Sequence, residues 1–181
     1  MFSKKILAVL QEALLGVPDT QYPHNKPIKL CIEEAIKAIK EGNFGVGAVI
    51  VNKHTGEVMV SGHNQVFYPT FKSDAHAEMV VLEAFEKLGE MDDLDDLVLF
   101  TSLEPCAMWL PRILVSKLRT VYYAADDSTG GMVHLSEHLP ETFTRLLNGK
   151  TLEKAVCSLE LMVLAGKVFH EFDETYRLFE R

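Results

Sequence analysis

Apolar residues recur along this chain with two different periods, and the alternation between them predicts the elements. Ile6, Leu7, Leu10 and Leu14 are spaced as one face of a helix. So are Ile28, Cys31, Ile32, Ala35, Ile36 and Ile39, and Gly42 is placed to end that second helix. Residues 16–27, rich in Pro, read as a surface connector between the two. Shorter runs at 46–52 and 58–64 predict two strands, with KHTGE between them as the turn of a hairpin. Residues 75–88 carry a helical pattern, 97–102 read as a buried strand, and the acidic EMDDLDD at 90–96 reads as a solvated loop. Pro105 needs no amide hydrogen in a first turn, which predicts a helix from there to about Val115. A fourth strand follows at 120–125, a short helix at 136–147, a fifth strand in KAVCSLEL at 154–161, and a closing amphipathic helix at 162–180. Strands alternating with helices at these lengths imply a sandwiched α/β domain with a hairpin at one end of its sheet.

Composition narrows the class. With 181 residues and 48% apolar content the chain fits one domain with a substantial core. A formal charge of −8 leaves little surplus Lys or Arg to neutralise phosphates, which weighs against a nucleic-acid substrate without excluding a local basic patch. Three scattered cysteines, Cys31, Cys106 and Cys157, make no disulfide framework and suit a reducing compartment, so a cytoplasmic location is expected. Gln11 and Glu12 interrupt the first apolar run, so it does not read as a secretory signal, and no stretch approaches the ~18 apolar residues of a membrane span.

The chemistry concentrates in two places, DAHAEM and LEPCAMW. His76 and Glu78 sit two apart at one predicted helix start, and Cys106 follows a strand at the next. Unpaired amide hydrogens and a positive dipole at such starts favour a thiolate or a bound hydroxide. Taken singly, a helical His is usually structural and a first-turn Glu usually solvated. Asp74 reads as a helix cap, Asn64 in GHN as a turn residue or a reader of a ring edge, and Phe44, Phe67, Tyr68 and Phe71 as packing or stacking groups.

In combination, His-x-Glu followed by Pro-Cys resembles the zinc-dependent nucleobase deaminase signature. VGAVIV, GHN, AHAE, TSLEPCAM and VYYAADDSTGG fall in the order and spacing of the cytidine and deoxycytidylate deaminase superfamily, and are most similar to its guanine, cytosine and tRNA adenosine deaminases. The likeness spans roughly residues 28–178. It implies a three-layer sandwich around a mixed five-stranded sheet with helices on both faces, formed by residues 26–181 after an N-terminal helix and connector at 1–25. It also implies zinc held by His76 and Cys106, Glu78 as proton shuttle, and Asn64 with the Ala77 amide as substrate contacts. The expected activity is hydrolytic deamination of a purine or pyrimidine base, with a free base or nucleoside preferred as partner, in a homodimer without a membrane role. A tRNA adenosine deaminase is the second enzyme reading, and an inactive, metal-deficient binding protein the third.

One position departs from the resemblance. Where the pattern has a second Cys, three after Cys106, this chain has Trp109. His63, His134, His138 and Cys157 are donors by type that could complete the shell. Alternatively the metal is held by two ligands and waters, or none binds.

Overall fold

The computed structural model describes residues 4–89 and 94–177, with side chains described as far as His170. Two helices open the chain, α1 (Lys4–Leu15) and α2 (Asn25–Glu41). Gly42 ends α2 at φ 94°, where its amide reaches back to the carbonyl of Ile39. β1 (Gly47–Asn52) and β2 (Val58–His63) form the hairpin, and α3 (Ala77–Glu86) leads to β3 (Leu97–Leu103). α4 (Leu110–Val115), β4 (Thr120–Ala125), α5 (Glu141–Leu147), β5 (Thr151–Lys154) and α6 (Leu159–Arg177) complete the order.

The five strands form one mixed sheet in the order β2-β1-β3-β4-β5, antiparallel across β1 and parallel from β3 to β5. Two glycines show that helices cover both faces. A Cβ at Gly47 would strike the Cys31 carbonyl at 2.2 Å, so α2 lies against that face; one at Gly62 would meet Val80 and Val81 of α3. Gly62 pairs with Ala48, the neighbour of Gly47, and adjacent strand residues point to opposite faces. The interior strands β1 and β3 are buried along nearly their whole length, as a sheet covered on both sides requires. α1 joins this core through Leu10 and Leu14 and packs on α2 and α6.

Three boundaries differ from the sequence reading. The helix expected from Pro105 starts at Leu110, because Cys106 bridges to Gly131 and the Pro105 carbonyl accepts from Met132, which holds 105–106 extended; Pro111 is the first-turn proline. The expected helix at 136–147 is split into a 3-10 segment, Val133–His138, and α5, with Pro140 between them restricting Leu139 to extended backbone. The fifth strand lies at Thr151–Lys154, paired parallel to β4, rather than across 154–161. Past it the chain leaves the ladder, since Val156 bonds to His24 and Ser158 to Asn25 at the start of α2. A 3-10 turn occupies Leu94–Asp96 of the expected acidic loop; the rest of that loop, 90–93, and the end of the closing helix past 177 lie outside the described residues.

Candidate active site

β2, β3 and β4 each end near the start of α3, and a pocket of about 160 Å³ forms there. Phe44, Asn64, His76, Glu78, Glu104, Cys106, Trp109, Asp127 and Phe169 contribute to its walls. That volume lies well below the ~300–1,000 Å³ of drug-sized sites and suits one small ring system.

Asn64 follows the last residue of β2, its amide bonded to the Val46 carbonyl at 3.0 Å. Its Oδ1 accepts from the Val66 amide at 3.1 Å, which aims the other half of the carboxamide at the pocket. Its Nδ2 has no acceptor among the described residues, although Asn64 is 2% exposed. Among the described residues no fully buried side-chain nitrogen or oxygen lacks a partner, so this Nδ2 lies open on the pocket wall.

α3 begins with His76 itself at the cap position, without a side-chain capping bond. The expected Asp74 cap is therefore not formed; the Asp74 carbonyl instead accepts from the His76 amide at 2.8 Å. Ala77 and Glu78 occupy the first helical turn, where amides lack intrahelical acceptors. Glu78 is buried, and its carboxyl accepts from the Thr101 hydroxyl at 2.5 Å and from its own backbone amide. Burial raises its carboxyl to about 7 against the opposing Thr101 bond. His76 is lowered by burial, opposed by Asp74, and is neutral at pH 7. Burial also raises Cys106, against the Met108 and Trp109 amides, so without a bound cation it stays a thiol.

The fold brings His76 and Cys106 together across α3 and the β3–α4 segment, with Nδ1 and Sγ 3.6 Å apart. Nitrogen and sulfur ligands at ~2.0 and ~2.3 Å on one tetrahedral zinc stand about 3.6 Å apart, so this pair fits a shared ion. A three-donor shell does not fit: no group of three metal-binding side chains occurs among the described residues. The four donors considered by type all lie off the pocket. His63 is held between Glu34 at 2.7 Å and Glu41 at 3.1 Å. His134 and His138 are exposed on the 3-10 segment, and Cys157 is buried in the core, its thiol raised to about 11 by burial. Trp109 is 2% exposed and fills both the core and one wall of the pocket.

Glu104 and Asp127 were not singled out by sequence. Glu104 is a buried carboxylate that accepts from the Asp127 amide at 3.0 Å and the Val133 amide at 2.9 Å, pinning the 127–133 loop over Cys106. Gly131 is required there, since a Cβ would lie 2.4 Å from the Glu104 carboxylate. The visible signal was a charge closing an apolar strand in LEPC. Of the aromatics considered, Phe44 lines the pocket, whereas Tyr68 and Phe71 are exposed and Phe67 packs on Phe44 with ring centroids 5.1 Å apart and the rings tilted at 53°.

A mixed sheet covered on both faces, with a protonatable carboxyl beside a His–Cys donor pair, describes an α/β fold equipped for proton transfer next to two metal-type donors. The family is a specific one. A profile described as the cytidine and deoxycytidylate deaminase zinc-binding region matches residues 22–125, more than half of the chain, and the chain belongs to that family. It is 34% identical over 108 residues to a tRNA-specific adenosine deaminase of Rickettsia felis, covering 56% of this chain and 73% of the relative. Over 108 residues it is 35% identical to a guanine deaminase of Bacillus subtilis, covering 58% and 66%. Among solved structures, a guanine deaminase from Nitrosomonas europaea superposes with TM-score 0.64 at 23% identity, over 92% of each chain, which speaks to the fold. A structure from work on tRNA:A34 deaminases that edit A to I at the wobble position superposes at 0.60 with 27% identity, covering 73% of this chain and 98% of that one.

Proposed function

We propose that this chain hydrolyses the exocyclic amino group of a small nucleobase, with Glu78 as the group that carries protons. The observation that supports it best is Glu78 itself: a buried carboxyl, anchored by the Thr101 hydroxyl, on the wall of the pocket that His76 and Cys106 also line. Hydrolysis of an amidine carbon forms a bond from water oxygen to that carbon and breaks its bond to the amino nitrogen. The water's protons end on a ring nitrogen and on departing ammonia. In this reading Glu78 takes the first from water and delivers it, because a carboxyl near 7 accepts and donates at neutral pH. Asn64 Nδ2 offers a donor to the ring edge. The Ala77 amide, at the first position of α3 between the two pocket residues His76 and Glu78, is the second donor in this reading, although Ala77 itself is fully buried and does not line the pocket. His76 and Cys106 are the residues that would hold a metal, which when bound supplies a water of lowered pKa.

Pocket volume and the charge of −8 favour a free base or nucleoside over a polynucleotide. The relatives do not separate the two, because a tRNA-specific adenosine deaminase and a guanine deaminase match at 34% and 35% identity. Ammonia release from guanine, cytosine, cytidine, adenosine and dCMP tests the reading. Release from at least one, abolished in Glu78→Gln, is expected. Release from none overturns it in favour of a binding protein, and a band shift with tRNA together with deamination of tRNA alone shifts it to the tRNA enzyme.

A further inference from the structure

The residue that breaks the family pattern also carries an unsatisfied donor. Trp109 is 2% exposed, lies in the core, and forms part of the pocket wall. Among the described residues its indole N–H has no hydrogen-bond acceptor. A fully enclosed N–H of that kind would stand among the buried polar atoms without partners, and among the described residues there are none. The N–H therefore reaches the small accessible surface the residue retains. Leaving a nearly buried donor unpaired is costly, and a side chain present only to fill space would carry no polar atom there. Asn64, which lines the same pocket as Trp109, carries a second donor, Nδ2, without an acceptor among the described residues. Two donors without acceptors call for a ligand that brings acceptors.

We propose that Trp109 is a specificity-determining residue whose indole N–H donates to an oxo group on the bound ring, so that the pocket prefers oxo-bearing heterocycles to their amino counterparts. The position that supplies a metal donor in the family pattern supplies a hydrogen-bond donor to the ligand here. An amino group at the same place presents hydrogens to the N–H and leaves both groups unpaired. This rests on the pocket being the nucleobase site proposed above, but concerns binding and not turnover.

Hypoxanthine and adenine are the probes, since they differ in an oxo or amino group at C6 and in the N1 proton. Trp109 is the chain's single Trp, so one indole N–H resonance in a nitrogen-15 spectrum reports on it alone. Hypoxanthine is expected to move that resonance downfield, and calorimetry is expected to show it binding about tenfold more tightly than adenine. Trp109→Phe keeps an aromatic wall without the donor, and is expected to bring the two affinities to within about twofold of each other. The wild-type resonance stands as a test even where that variant fails to fold. An unshifted resonance under saturating hypoxanthine overturns the proposal, as does equal affinity of wild type for the pair or binding of neither. Ligand binding with the predicted preference but no ammonia from any base would sink the catalytic reading alone.

Discussion

Two histidines on neighbouring elements show what separates a site from scaffolding. His63, at the end of β2, has Nδ1 2.7 Å from Glu34 and Nε2 3.1 Å from Glu41, and Glu34 in turn binds Lys37 at 2.7 Å. Every strong valence is used within the protein. His76, at the start of α3, has one weak polar side-chain contact, 3.6 Å to Cys106, and faces a pocket with Glu78. The first cluster holds α2 against β2. The second keeps its capacity for something that is not protein. Chemical potential in this fold is read from unfilled valences, and a count of titratable groups would have ranked the two clusters alike.

The sharpest way to break the comparison is at Glu78. Glu78→Gln is expected to lower ammonia release by ~10²–10⁴-fold, the usual worth of a general acid–base group, while circular dichroism stays unchanged. Near-normal release would mean this carboxyl is not the proton carrier.

Next in size is Trp109→Cys. It restores a donor three residues after Cys106 but removes a side chain from the core, and should cost roughly 3–5 kcal/mol in chemical unfolding. Metal analysis is expected to show zinc rising from substoichiometric, easily chelated levels toward one per chain. Full, chelator-resistant zinc in the natural protein, unchanged by the substitution, would refute a two-donor site.

Glu34→Ala tests the closed cluster and should reverse the pattern. Removing one partner of a mostly buried ion pair is expected to destabilise by about 3 kcal/mol, leaving deaminase kcat within about twofold. A large loss of kcat at full folding would show that the two clusters are one unit.

The smallest effect is in pH dependence. Burial would raise Glu34, but bonds from His63 and Lys37 outweigh it and hold the carboxyl at about 2, below its ordinary 4.5. Glu34 thus stabilises the fold fully above about pH 4.5, and that contribution is lost as pH falls toward 2. His63 is raised above 6.5, chiefly by the Glu34 bond, so its share is complete below 6.5 and fades as pH rises through its folded value. Thermal melts should show the pair contributing most between about pH 4.5 and 6.5, and Glu34→Gln should flatten both limbs.

Much of this was legible before any coordinates. The period of Ile28, Cys31, Ile32, Ala35 and Ile39 with Gly42 behind it defined α2, and the spacing of the His-x-Glu and Pro-Cys motifs located the pocket residues, because helix periodicity, caps and turns are short-range properties. The misplaced boundaries share a cause. Cys106 is held by Gly131 and Val156 by His24, contacts distant in sequence that override a local preference.

The sequence by itself determined the alternation of strands and helices, the family, and which residue types stand at the helix starts. Tertiary structure decided which of them face one another. His63 and Asn64 are adjacent, yet one binds α2 and the other lines the pocket, since consecutive side chains at a strand end leave on opposite faces. Glu104 became the brace of a loop, and Trp109 both core and wall, through neighbours that no local pattern names. Whether a valence is filled depends on what the rest of the chain brings to it, and that is a property of the packed molecule.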